Sequence, residues 1–272
     1  MLKAPPGYSL IEEKGLKAIV KDQYLDFFWN EGFFQPQTLF QDLSPSHLVG
    51  RTKLMLFVKN DLVFVIRRNF HGGIFGKVFK DVFLDGSRPH RELFIMWRLR
   101  EVGIKTAEPI ASFTVNFGPF KRTYLITSYI QGGKDFLEVL ENTNPSLKRR
   151  EIFYQAGALI RKIHDLGVYH PDLQLKNFLL KGEDVYILDF DKAYQRIPLP
   201  LSLRFKNLFR FLRSLEKART KGMHISPKEI LSFWKGYAQG NPLYETELRK
   251  RIRFLPFAKF IWRIGWKIEG IF

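Results

Sequence analysis

Four side chains near the middle of the chain have the types and spacing that phosphoryl transfer asks for. His170-x-Asp172-x-x-x-x-Asn177 offers a carboxylate to orient or deprotonate an attacking hydroxyl and an amide oxygen to hold a metal ion. Asp189, 17 positions beyond Asp172, adds a carboxylate ligand. Little else is needed for that reaction except cations to neutralise the phosphates. Each half is a weak signal alone, because His-x-Asp arises by chance and an aspartate closing a strand is often a turn former. Joined, they match the catalytic loop and metal-binding aspartate of eukaryotic-kinase-like enzymes. The intervening pattern agrees. Phe178–Leu180 and Val185–Leu188 read as two short strands around the turn Lys181-Gly-Glu-Asp. This hairpin holds Asp172 and Asn177 ahead of its first strand and Asp189 at the end of its second, so three oxygen-bearing groups can converge.

The elements that must position them differ between the two halves of the chain. Leu54–Val58 and Leu62–Arg68 are β-branched and aromatic runs joined by Asn60-Asp61, which predicts an antiparallel hairpin. A helix is expected over Arg88–Glu101, closed by Gly103, followed by strands at Ile110–Val115 and Tyr124–Tyr129. The composition changes at Gln131-Gly-Gly-Lys, and helices dominate beyond it. Ile152, Ala156, Leu159, Ile160 and Ile163 mark one face of a helix that opens after Asn144-Pro145, read as N-cap and N1. His164 reads as a structural residue at that helix's end, and His71 and His90 receive no role. A further helix, Leu203–Arg219, carries Arg204, Lys206, Arg210, Arg213, Lys217 and Arg219 against Glu216, which suits either an anionic acceptor or a solvated face.

Composition narrows the classes. The 272 residues are 45% apolar and 26% charged, enough to bury a core, which excludes disordered, collagen-like and coiled-coil chains. Absence of cysteine excludes disulfides, thiolate zinc sites, iron–sulfur clusters and cysteine nucleophiles. The longest run without Asp, Glu, Lys or Arg is Pro109–Phe120, 12 residues, whereas a spanning helix needs about 20. The start of the chain lacks the continuous apolar region of a secretory signal, so a cytoplasmic location is the expectation. The net charge of +17 predicts an anionic partner, and nucleic acid, an acidic membrane face and a phosphorylated substrate all satisfy it. Residues 249–272 carry seven basic side chains against Glu269, interleaved with Phe254, Phe257, Phe260, Trp262 and Trp266. That suits an interfacial membrane segment. It equally suits a helix packing Phe254, Phe257, Ala258 and Ile261 on the domain, although Pro256 argues against one uninterrupted helix.

The chain resembles the lipopolysaccharide kinase family, most closely its 3-deoxy-D-manno-octulosonic acid (Kdo) kinases, from about Gly50 to Leu215. The likeness rests on Val65-Ile-Arg-Arg-Asn-Phe-His-Gly-Gly-Ile-Phe-Gly-Lys, Arg91-Glu-Leu-Phe, Gly103-Ile-Lys-Thr-Ala-Glu-Pro-Ile-Ala, Tyr169-His-Pro-Asp-Leu and Asp189-Phe-Asp. It implies an α+β, bilobal, protein-kinase-like fold: a mainly β lobe over 1–128, a hinge at 129–133 that includes Tyr129, and a mainly helical lobe over 134–272. ATP with Mg²⁺ is expected between the lobes. In this resemblance Arg67 takes the place of the strand lysine that contacts nucleotide phosphates, Glu92 that of its helix partner, and Gly50 that of a phosphate-covering loop. Arg68 is the register alternative to Arg67, because neighbouring strand residues point to opposite faces. Asp172 is then the catalytic residue, Asn177 and Asp189 the metal ligands, and Tyr129 and Gly50 nucleotide contacts.

The implied acceptor is the anionic glycolipid Kdo-lipid A at the cytoplasmic face of the inner membrane. A heptose kinase of the same family is the second reading, and a non-catalytic nucleic-acid-binding protein the third. The motif departs from protein kinases in ways that remove the peptide-substrate platform. Pro171 replaces the arginine of His-Arg-Asp, Asp191 replaces the glycine of Asp-Phe-Gly, and no Ala-Pro-Glu segment follows.

Overall fold

The computed structural model describes residues 3–13, 15–35, 54–59, 61–70 and 81–268. The chain divides into two compact units, Met1–Gln131 with Phe190–Tyr194, and Gly132–Asp189 with Gln195–Phe272. The first break falls within the expected 129–133 stretch. Phe190–Tyr194, expected in the second lobe, clusters with the first unit.

In the first unit β1 (Tyr8–Glu13), β2 (Leu16–Lys21), β3 (Leu54–Lys59), β4 (Leu62–Arg68), β5 (Pro109–Phe117) and β6 (Phe120–Ser128) form an antiparallel sheet in the order β1-β2-β5-β6-β4-β3. The β1–β2 hairpin was not anticipated; its signal is the turn glycine Gly15, at φ +82°. The β3–β4 hairpin is as expected, with Asp61 at φ +63° in its turn. Side chains alternate across the pleat. Ala18, Val20, Phe64, Ile66, Ala111, Phe113, Tyr124 and Ile126 therefore share one face, which packs on α1 (Leu25–Asn30) and the turn after it. Phenylalanine dominates this core: Phe28 meets Phe33 edge-on at 4.4 Å between ring centroids, and lies 5.9 Å from Phe64.

The opposite face carries α2 (Arg88–Glu101). On β5, Ser112 and Thr114 alternate with Phe113 and so point to α2. His90 there accepts from Ser112 Oγ at 2.7 Å and donates to Thr114 Oγ1 at 3.0 Å, while Thr114 donates to the Gly86 carbonyl. These roles follow from Thr114's one proton going to Gly86. His90, without a role from sequence, ties α2 to the sheet.

The second unit is mainly helical: β7 (Lys134–Asp135), α3 (Phe136–Asn142), α4 (Leu147–Asp165), β8 (Val168–Tyr169), β9 (Phe178–Lys181), β10 (Asp184–Ile187), α5 (Leu201–Thr220), α6 (Pro227–Ala238), α7 (Pro242–Ile252) and α8 (Leu255–Ile268). α4 starts two residues later than expected. Its N-cap is Ser146, whose hydroxyl accepts from Arg149 N at 3.2 Å, in place of Asn144. The break predicted near Pro256 lies at Arg253-Phe254, and Pro256 sits in the first turn of α8, where no amide is needed. Phe211 stacks on Phe233 at 4.4 Å, and Phe178 meets Phe211 at 5.5 Å, so α5, α6 and β9 share one core.

α4 and α6 cross in backbone contact. A Cβ on Gly157 would collide with the carbonyl of Phe233, and one on Gly236 with that of Tyr154. The crossing is bordered by a buried ion pair, Arg149 to Glu229 at 2.7 Å, and Glu229 also closes a capping box with Ser226. Gly157→Ala and Gly236→Ala should each cost about 1–3 kcal/mol by overpacking. Gly265→Ala, in open space on α8, should be neutral or stabilising by up to about 1 kcal/mol. Urea unfolding of the three variants checks the contrast.

Candidate active site

The loop bearing the first motif leaves α4 at Gly167 and is pinned from α5. Asn207, fully buried, accepts from His170 N at 3.1 Å and donates to His170 O at 2.8 Å, as a neighbouring strand would. The same Asn207 oxygen takes His164 Nε2–H at 3.2 Å, and His164 Nδ1 accepts from the Tyr237 hydroxyl at 2.9 Å. Burial holds His164 neutral, its pKa pushed down to about 3. His164 is thus structural, as expected, through a link from α6 to the loop. His170 Nε2 reaches the Leu188 carbonyl at 3.1 Å, and the Leu188 amide donates to Asn177 O at 2.8 Å. Those two bonds join the start of the motif, its asparagine and the residue before Asp189. Asp189 itself sits at φ +64°, a left-handed conformation that turns the chain sharply as β10 ends.

Asp172 is a charged hub. Its carboxylate accepts from Gln174 and Arg210 and pairs with Lys176 at 3.0 Å. Burial raises its pKa, but the hydrogen bonds and charges of Arg210 and Lys176 outweigh that and bring it down to about 2. Asn177 Nδ2 donates to Asp172 O at 2.6 Å, which leaves Oδ1 as the atom a metal would take. Among the described residues no three His, Cys, Asp or Glu form a metal cluster. An amide oxygen and one carboxylate still suit Mg²⁺, which prefers hard oxygens and commonly keeps substrate phosphates and water in its remaining positions.

In the first unit, strand period puts the two arginines on opposite faces of the sheet. Arg67 lies on the α2 face and pairs with Glu92, which is 2% exposed. Arg68 lies on the other face, paired with Asp81 and 5.9 Å from the Tyr124 ring centroid. Tyr129 follows β6, its amide donating to Val63 O at 3.0 Å and its side chain partly exposed. Gly50 lies outside the described residues.

Several contributors escaped the sequence reading. Arg88, one turn before Glu92 on the same face of α2, grips both carboxylate oxygens of Asp191. Burial pushes the Asp191 pKa up, but Arg88 and its neighbours draw it below the usual range. The aspartate that replaces the glycine of Asp-Phe-Gly is therefore an anchor for the 190–194 segment on α2. The hint was an acid where kinases have none, with Arg88 positioned at i−4 from Glu92. The basic face expected on α5 is partly spent inside the fold: Arg204 is buried on Asp165 at 2.6 Å, and Arg213 lies over the Trp266 ring.

A two-unit α+β chain with this loop has the fold of a kinase, and comparison with known proteins agrees. A solved structure described as WaaP in complex with acyl carrier protein superposes with a TM-score of 0.64 over 90% of this chain and 98% of that one, at 14% identity. Residues 46–237 match the model of the lipopolysaccharide kinase (Kdo/WaaP) family, and the chain belongs to that family. A 3-deoxy-D-manno-octulosonic acid kinase of Vibrio vulnificus is 30% identical over 178 residues, 63% of this chain and 73% of the relative. One from Haemophilus influenzae is 30% identical over 221 residues, 72% and 88% of the two chains. The protein is a kinase.

Burial lowers the pKa of His90 to about 4 and that of His164 to about 3, and it lowers that of His170 as well. Each folded value lies below the unfolded one near 6.5, so the stability these histidines contribute is whole above about pH 6.5 and is lost as pH falls from there. The expected slope is at most about 1.4 kcal/mol per pH unit for each histidine between pH 6 and 4.5. Urea midpoints across that range should fall steadily, and His90→Gln should flatten part of the slope.

Proposed function

We propose that the protein uses ATP to phosphorylate a hydroxyl of the Kdo sugar in a lipid A-linked precursor, at the cytoplasmic face of the inner membrane. Family membership and the Kdo kinases among its relatives support the acceptor. The observation that carries the chemistry is Asp172, an ionised carboxylate held by Arg210 and Lys176 and hydrogen-bonded through its backbone carbonyl to Asn177. Asp172 orients the acceptor hydroxyl and accepts its proton as the bond from its oxygen to the γ-phosphorus forms and the bond from that phosphorus to the ADP oxygen breaks. Asn177 Oδ1 and Asp189 would hold Mg²⁺, which would offset the charge of the phosphates. Arg67, aimed by Glu92, contacts the nucleotide phosphates, and its planar fork suits them better than a point charge. Arg210, exposed on its other side, meets an anionic group of the acceptor. Its departure toward that group raises the basicity of Asp172 when substrate is present.

No helix among the described residues is long and apolar enough to cross a membrane.

Asp172→Ala should lower kcat by about 10²–10⁴-fold with little change in ATP affinity, because the group acts mainly in the transition state. Single-turnover kinetics with an ATP-binding titration measure both, and equal modest losses contradict the role. Arg210→Gln removes a cation and raises the Asp172 pKa, so the acid limb of the kcat/KM profile should move to higher pH. Mass analysis of the lipid after reaction, with Kdo-lipid A and heptosylated core offered in turn, identifies the acceptor. Phosphate on heptose alone would replace this reading with the heptose kinase one.

A further inference from the structure

The last helix is apolar on two opposite sides, and the fold uses only one. Trp266 packs on the rest of the second unit, 1% exposed under the Arg213 guanidinium, and Trp262, one turn earlier, falls on the same side of the helix. On the same side Lys259 and Arg263 reach Glu216 of α5 at 3.0 and 2.9 Å. Successive helical residues turn by about 100°, so Phe257, Phe260, Ile261 and Ile264 fall on the far side, within an arc of about 100°. The sequence had offered Phe254, Phe257, Ala258 and Ile261 as a packed face, and three of these are outward. Phe254 is 69% exposed, Phe257 65%, Phe260 62%, Ile261 49% and Ile264 44%. The packing surface is the tryptophan side, where Trp266 is buried and Lys259 and Arg263 meet Glu216.

Five large apolar side chains in one stripe form a patch that a soluble surface rarely leaves open. The segment itself is cationic: residues 249–268 contain seven Lys and Arg and no Asp or Glu, with three of the seven paired to Glu216 and Glu247. A second copy of the chain would set like charges against one another. The stripe presents no hydrogen-bonding group, which suits acyl chains, and its cationic border suits anionic headgroups. A helix of 14 residues is about 21 Å long, too short to span a bilayer, so it lies in the plane of the surface.

We propose that α8 is an interfacial docking helix for an anionic phospholipid bilayer, with Phe254, Phe257, Phe260, Ile261 and Ile264 entering the headgroup–acyl boundary. The proposal rests on the reading of the acceptor as a membrane glycolipid and adds the surface by which the enzyme reaches it.

The test is co-sedimentation of the full chain with vesicles of phosphatidylglycerol and phosphatidylcholine, or of phosphatidylcholine alone. Wild type should bind the anionic vesicles, and the double variant F257S/I261S should bind them about tenfold or more weakly with an unchanged melting temperature, since both side chains are exposed. K250E/R253E should lose the preference for anionic over neutral vesicles while keeping the apolar stripe. Equal binding by wild type and F257S/I261S overturns the proposal. So does an oligomer that F257S/I261S dissociates, because the stripe would then join copies of the chain. Vesicle binding requires neither ATP nor acceptor, so wild type that binds vesicles but transfers no phosphate contradicts the proposed function and leaves this surface standing. Transfer by F257S/I261S to detergent-dispersed acceptor should stay at the wild-type rate.

Discussion

The loop from His170 to Asn177 in the second unit depends on one buried amide. Asn207 gives His170 both a donor and an acceptor, holding an irregular segment in place as a strand partner would. A loop with buried polar backbone has few other ways to satisfy its groups. From that anchor a chain of hydrogen bonds runs through the His170 ring to Leu188, from Leu188 to Asn177, and from Asn177 back to the Asp172 carbonyl. His164 and Tyr237 brace Asn207 from the far side, which explains why a neutral histidine and a buried tyrosine sit at the core of this unit. Loss of Asn207 would leave two backbone groups and one imidazole without partners in a dry interior, a costlier state than the loss of a single hydrogen bond.

The first unit follows a related logic with charge in place of an amide. Arg67 and Glu92 face each other because β4 turns its odd-numbered residues toward α2, and α2 is seated on β5 through His90. Gly86 allows that seating: a Cβ there would strike the Thr114 side chain, so the chain entering α2 approaches the sheet as only glycine permits. Arg88 then extends the helix's reach to Asp191. Protein kinases commonly order the segment after their metal-binding aspartate with a phosphate; here a carboxylate built into the sequence meets the arginine directly.

Local pattern was more legible in the sequence than packing. His170, Asp172, Asn177 and Asp189 lie within 20 residues, so local spacing and hairpin pattern single them out as candidates, and the β3–β4 hairpin and α2 announce themselves by period and turn residues. The strand alternation that separates Arg67 from Arg68 was also present, but which of them meets Glu92 depends on which face α2 covers. Asn207 is an ordinary polar residue on a helix until a loop 37 positions away is folded against it. The Arg88–Asp191 pair spans 103 positions. For α8 the apolar residues outnumber what one face can bury, so hydrophobicity alone could not tell which side packs. The partners on another helix, Arg213 over Trp266 and Glu216 beside Lys259 and Arg263, mark the side that packs.

Hydrogen exchange at the His170 amide in the wild type and in Asn207→Ala tests the anchor most directly. The account predicts that this amide is as protected as the α4 and α6 core in the wild type. In Asn207→Ala it should become exchangeable by local opening while the α4 and α6 amides stay protected, with turnover falling alongside. Unchanged protection at His170, or full activity in a variant whose loop exchanges freely, would show that the loop is held by something other than Asn207.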